Sequence, residues 1–162
     1  MAKLSATLET AQGFQTLPKD TYEAHIHNVE VKTIADTGAT MLAVQWKPEG
    51  EKVGGDFRGT IFDNVMVSGM SRKGEPLGTQ RLCDYISALG VEWQCNTCGQ
   101  STTKRFVQEK GQYLCPNCGK VAKFDFDPDL WQGKRALIQV DIGKDQKGED
   151  RNEVGRVRPL AA

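Results

Sequence analysis

The sequence predicts a mainly β fold with one helix and a small inserted metal-binding module, and three observations point there. Seventeen glycines among 162 residues supply many turns, which suits strands better than a helical bundle. Apolar residues alternate in five separate runs, the period-2 pattern of strands with one buried face. Four of the five cysteines form two C-x-x-C-G units at the spacing of a four-thiolate metal site. A hydrophobic content of 38% allows one core of ordinary size with a small module added.

Residues 1–16 are polar and weakly patterned and read as a flexible N-terminal arm. After the turn Leu17-Pro18-Lys19-Asp20, Tyr22, Ala24 and Ile26 share one face. The phase slips at Asn28, and Val29 and Val31 continue on the other parity, so a long strand with one extra residue, a bulge, is expected. Asp36-Thr37-Gly38 turns the chain into a second strand with Leu42, Val44 and Trp46 on one side. Lys47 to Asp56 reads as a loop, and Phe57 to Val67 as a third strand with Ile61, Val65 and Val67 together. A Gly/Ser/Lys loop from Ser68 to Gly78 precedes a helix capped by Thr79, with Leu82, Ile86 and Leu89 at helical spacing and Gly90 as its stop. Beyond the cysteine module, Phe124 to Asp129 reads as an acidic connector. Ala136 to Ile142 and Asn152 to Pro159 give the last two strands, joined by a charged hairpin loop.

Five strands, the first long and bent, with a helix after the third, describe an OB-fold barrel. The expected organisation is an arm at 1–16, a first barrel part at 17–92, a zinc ribbon at 93–124 and the last two strands at 125–162.

The ribbon rests on Cys95-Asn-Thr-Cys98-Gly and Cys115-Pro-Asn-Cys118-Gly. Two intervening residues let both sulfurs of a pair reach one ion, and the glycine relieves the turn that follows. Four thiolates leave no open position for water, so one structural Zn²⁺ is expected rather than a catalytic one. A redox pair is the competing reading, but neither pair lies in a βαβ pattern. Thr102 to Gln108 and Gln112 to Leu114 can supply short ribbon strands, and the module reads as having almost no apolar core of its own. The fifth cysteine, Cys83, falls inside the helix as a buried free thiol.

The chain has 21 basic and 21 acidic residues, which excludes a strongly basic, histone-like binder. The charge is uneven. Residues 93–124 carry Lys104, Arg105, Lys110, Lys120 and Lys123 against Glu109, 5 − 1 = +4. The start, MAKLSATLET, lacks a secretory apolar core, and no apolar run nears the roughly 18 residues of a membrane span. Cysteines in metal spacing fit a reducing interior, so an intracellular protein without a membrane partner is expected. His25 and His27 have no third ligand nearby, Asp125, Asp127 and Asp129 are interrupted by Pro128, and Gly133-Lys134 lacks the loop of a nucleotide site. No nucleophile–base arrangement stands out, so the chain reads as non-enzymatic.

Leu17-Pro18, Thr21-Tyr22-Glu23-Ala24 with Ile26, Gly59-Thr60-Ile61-Phe62-Asp63-Asn64, Leu130-Trp131-Gln132-Gly133-Lys134 and Asn152-Glu153-Val154 resemble the small early proteins of tailed bacteriophages. Some of these are OB-fold single-stranded-DNA-binding proteins. The likeness is spread over residues 14–92 and 125–160, and the ribbon departs from the plainer members. The resemblance implies a replication or recombination accessory protein that coats single-stranded DNA in the cytoplasm of the host cell, with phage or host replication or recombination proteins as partners. The acidic C-terminal tail that many single-strand-binding proteins use is replaced by Arg156-Val-Arg-Pro-Leu-Ala-Ala162.

Single-strand binding needs aromatic faces for bases and cations along the backbone path. On the second and third barrel strands and their flanking loops, the candidate cations are Lys32, Lys47, Arg58, Arg72 and Lys73, and the candidate stackers Trp46, Phe57 and Phe62. Trp46 shares the parity of Leu42 and Val44, so a core role competes with stacking, whereas Phe62 faces opposite to Ile61 and Val65. On the ribbon, Lys104-Arg105-Phe106 sets two cations beside an aromatic. The alternative is an adaptor whose ribbon docks a replication or recombination enzyme while the barrel touches nucleic acid weakly.

Overall fold

The computed structural model describes residues 16–35, 37–54, 57, 59–68 and 80–160. The arm up to residue 15, the helix cap Thr79 and residues 69–78 of the expected loop lie outside the described residues. In chain order the elements are β1 (Asp20–Thr33), β2 (Thr40–Glu49), β3 (Ile61–Ser68), α1 (Gln80–Leu89), β4 (Trp93–Cys95), β5 (Ser101–Thr102), β6 (Val107–Glu109), β7 (Gln112–Leu114), β8 (Phe124–Phe126), β9 (Arg135–Lys144) and β10 (Asp150–Arg158).

The five strands expected from alternation form one antiparallel sheet in the order β10-β9-β1-β2-β3. The phase slip in β1 is a bulge: Ile26 pairs with Trp46 and Asn28 with Gln45, leaving His27 as the extra residue. On the inner face Ala24, Ile26, Val44, Trp46, Ala136, Ile138 and Val140 have no exposed surface. α1 closes this face. Leu82, Tyr85, Ile86 and Leu89 lie on one stripe of the helix and are all buried, each large apolar side chain contributing about 1.5–3 kcal/mol. The helix ends at Gly90, whose φ of 65° permits its N–H to reach the Ile86 carbonyl at 3.1 Å.

The sheet is open, which departs from the closed barrel expected from the alternation. β3 and β10 are its two edges, and among the described residues no hydrogen-bonded ladder joins them. Arg81 of α1 stands between them instead. Its guanidinium donates to Asp63 Oδ2 on β3 and, at 2.8 Å each, to the Val154 and Gly155 carbonyls on β10. Side-chain donors here meet carbonyls that a neighbouring strand would otherwise satisfy. A register shift between Val154 and Val157 further interrupts the regular course of β10.

The cysteine module adds a three-stranded sheet, β5-β4-β8, and the β6–β7 hairpin. Lys110 and Gly111 form the two-residue hairpin turn, both with positive φ (50° and 77°), which matches the strand twist. Two expectations are corrected. Residues 103–106 are not strand, because the Trp93 indole donates to the Lys104 carbonyl at 2.9 Å and holds that segment off the ladder. Phe124–Phe126 is not a free connector but β8, paired with β4.

Candidate functional site

Each cysteine pair folds into the same small turn. The N–H of Gly99 donates to the Cys95 carbonyl and that of Gly119 to the Cys115 carbonyl, both at 2.9 Å. Gly99 and Gly119 take φ of 75° and 72°, a region costly for a residue with a Cβ. The two turns bring all four sulfurs within 4.8 Å of one another. Cys95 and Cys118 sulfurs are 3.8 Å apart, and those of Cys98 and Cys115 4.0 Å. A tetrahedron with metal–sulfur bonds of about 2.3 Å has edges of about 3.8 Å, so the cluster fits one four-coordinate ion. These separations also exclude a disulfide, and all five cysteines are free thiols. The Cys98 N–H pulls the Cys95 thiol down to about 6. The Gln100 N–H acts likewise on Cys98, but burial and the neighbouring sulfurs outweigh it and leave that thiol at about 11. Four thiolates so close repel one another unless a cation binds them.

The module has an aromatic core, contrary to the expectation that the metal alone holds it. Trp93 stacks on Phe106 with ring centres 4.2 Å apart, and Phe106 packs on Phe124 at 5.0 Å. The chain of rings continues through Phe126, Trp131 and Tyr85 to Trp46, each step at 5.6–6.0 Å. One aromatic run therefore joins the cysteine module to the core of the large sheet. α1 supplies polar tethers as well: Ser87 Oγ accepts from the Phe106 N–H at 3.3 Å, and Tyr113 donates to Asp84.

This packing sorts the candidate nucleic-acid residues. Trp46 is fully buried and its indole donates to the Tyr85 hydroxyl at 2.9 Å, so it is core and presents no ring to a base. Phe106 is also buried, by Trp93, and is removed from the set of stackers. Phe57 is half-buried against the core. Phe62 is 63% exposed and pairs across the ladder with Gln45. Lys47, two residues along β2 on the same face, is its diagonal neighbour at a typical spacing of about 7–8 Å. Lys32, opposite Met41, lies at the far end of this face. Lys32, Lys47, Lys104 and Arg105 are exposed. Arg58, Arg72 and Lys73 lie outside the described residues. His25 reaches Glu49 at 3.3 Å, and the four cysteines are the one cluster of metal-ligating side chains among the described residues.

Two grooves flank Arg81. The first, about 570 Å³, runs from Phe57 and Phe62 to the β9–β10 loop and carries Asp63, Asp145, Glu149, Asp150 and Glu153 against Arg81 and Arg151. The second, about 660 Å³, lies among α1, the cysteine module and β10, with Arg81, Arg105, Arg156 and Arg158 against Asp84. Arg156 and Arg158 are not among the sequence candidates, although their i, i+2 spacing on an alternating strand puts both on one side. No helix among the described residues is long and apolar enough to cross a membrane. Comparison with known protein families and with curated proteins gives no match.

Proposed function

We propose that this chain is a non-catalytic single-stranded-DNA-binding protein of a bacteriophage, an opened OB-type barrel stapled by one structural Zn²⁺ on Cys95, Cys98, Cys115 and Cys118. The strand order, with the helix following β3, supports the OB-type reading. The sulfur spacing and the all-thiolate donor set support zinc.

The single observation that carries the binding function is the Phe62 ring, open to water on the outer face of β2–β3 beside Lys47. A base can stack there while the lysine meets the phosphate beside it. Lys32, and Lys104 with Arg105 on the ribbon, extend the cationic path. The test is a titration of a labelled oligo-dT strand across salt concentrations with duplex competitor. Binding that weakens with salt by a log–log slope of roughly −0.7 per neutralised phosphate, and that duplex competes poorly, is expected. No binding at low salt would overturn the reading.

One observation favours the adaptor reading. The groove beside Phe62 holds five carboxylates and two arginines, a sign of charge that suits a basic protein segment better than a phosphate chain. In that case the oligonucleotide titration shows no saturable binding, and the purified chain instead captures a replication or recombination enzyme.

A further inference from the structure

We infer that the groove between α1, the cysteine module and β10 is a second binding surface, which grips the phosphodiester backbone of single-stranded nucleic acid through Arg105, Arg156 and Arg158. It deepens the proposed function and rests on it for the identity of the ligand.

The arginines divide into two groups. Six lie among the described residues. Arg135 bonds Glu49 at 2.6 Å, Arg151 bonds Glu153 at 3.3 Å, and Arg81 is held by Asp63. The other three, Arg105, Arg156 and Arg158, make no ion pair with a described residue, and all three line this one groove. They come from two elements far apart in sequence, so their convergence is a product of the fold. Each is exposed, and three arginines without ion pairs against the one carboxylate, Asp84, leave the groove with an excess of positive charge that favours an anion.

The fold fixes their direction. Phe106 turns inward onto Trp93, and the Lys104 carbonyl is held by the Trp93 indole, which leaves Arg105 pointing to the groove. On β10, where the register shifts between Val154 and Val157, Arg156 and Arg158 are exposed on either side of half-buried Val157, and both line the groove. The helix floor offers Ser87 and Ala88, short side chains that leave room above them. Asp84, the acid of the groove, already accepts from Tyr113. Guanidinium groups match phosphate oxygens in planar pairs, and an extended backbone presents such oxygens at regular intervals. The groove on the other side of Arg81 carries the opposite sign, so phosphates favour the arginine side while Phe62, at the edge of the acidic groove, meets only a base.

The test compares the wild-type zinc-loaded chain with the Arg105→Ala/Arg156→Ala/Arg158→Ala variant, an Arg→Lys version of the same three positions, and Phe62→Ala. Oligo-dT affinity is measured from low to moderate salt, with poly-glutamate as a competing acidic peptide. Loss of three phosphate contacts lowers the magnitude of the salt slope by roughly 2 and weakens low-salt binding at least tenfold in the alanine variant. The lysine version retains the slope, and Phe62→Ala loses affinity with the slope unchanged. An alanine variant that holds its zinc and keeps the wild-type slope overturns the groove while leaving the proposed function standing. Displacement of the strand by poly-glutamate at equal charge concentration also overturns it, in favour of an acidic peptide. A wild-type chain that binds no strand at all removes both readings.

Discussion

Phe62 and Trp46 sit on neighbouring strands and differ only in parity, yet one ring faces water and the other is sealed beneath α1. Because Phe62 packs on little, Phe62→Ala is expected to leave folding nearly unchanged while weakening oligo-dT binding by about 1–3 kcal/mol, as anisotropy titration would show. Cys83 illustrates the opposite case. Burial, and then the Asp84 carboxylate, push its thiol from the ordinary 9 to about 12. A thiol raised in the folded state contributes stability that is fully present below its unfolded value and is lost as pH rises through the interval from about 9 to about 12. Tyr85 adds to the same trend, since burial and Asp63 hold its hydroxyl well above 10. Urea midpoints should therefore fall from pH 8 to pH 11, and Cys83→Ala should flatten the first part of that fall. At this scale the sequence reveals what parity and spacing decide, the four clustered cysteines and the outward Phe62. It conceals Phe106, which stacks on Trp93 in a segment without strand pattern, where the Trp93 indole holds the Lys104 carbonyl 11 residues away.

Among the elements, those built from short-range rules are legible in the sequence itself. The bulge of β1 shows as a slip in alternation, α1 as a stripe ended by glycine, and the two cysteine turns as a repeated motif. The β6–β7 turn depends on Gly111 at a φ of 77°. Gly111→Ala is expected to cost about 1–2 kcal/mol, read from the thermal midpoint. β8 is less legible, because Asp125 and Asp127 mask Phe124 and Phe126, whose role is set by rings elsewhere in the chain. The four-cysteine cluster and the rings stand side by side in this module. Stripping the metal with a strong chelator should open the cysteine turns to hydrogen exchange while amides of β1, β2 and β9 stay protected. Global loss of protection would show that the large sheet also depends on the ion.

For the whole molecule, the feature that no local pattern reveals is the open seam between β3 and β10. Arg81 closes it through side-chain bonds that span residues 63 to 155. Because about a third of the Arg81 side chain remains in water, Arg81→Met should destabilise by about 2–3 kcal/mol, less than a fully buried pair, and should speed exchange along β10. Charge is also organised at this scale. A neutral total of 21 basic and 21 acidic residues conceals an acidic groove and an arginine groove on either side of Arg81.

The outer face of β2–β3 is tested most directly by photo-crosslinking a single strand carrying 5-iodouracil to the purified chain and identifying the modified peptide. Crosslinks at Phe62 or the adjoining Phe57 are expected, abolished by unlabelled oligo-dT and spared by duplex. Crosslinks confined to other segments, or none above the duplex control, would contradict a strand lying across that face.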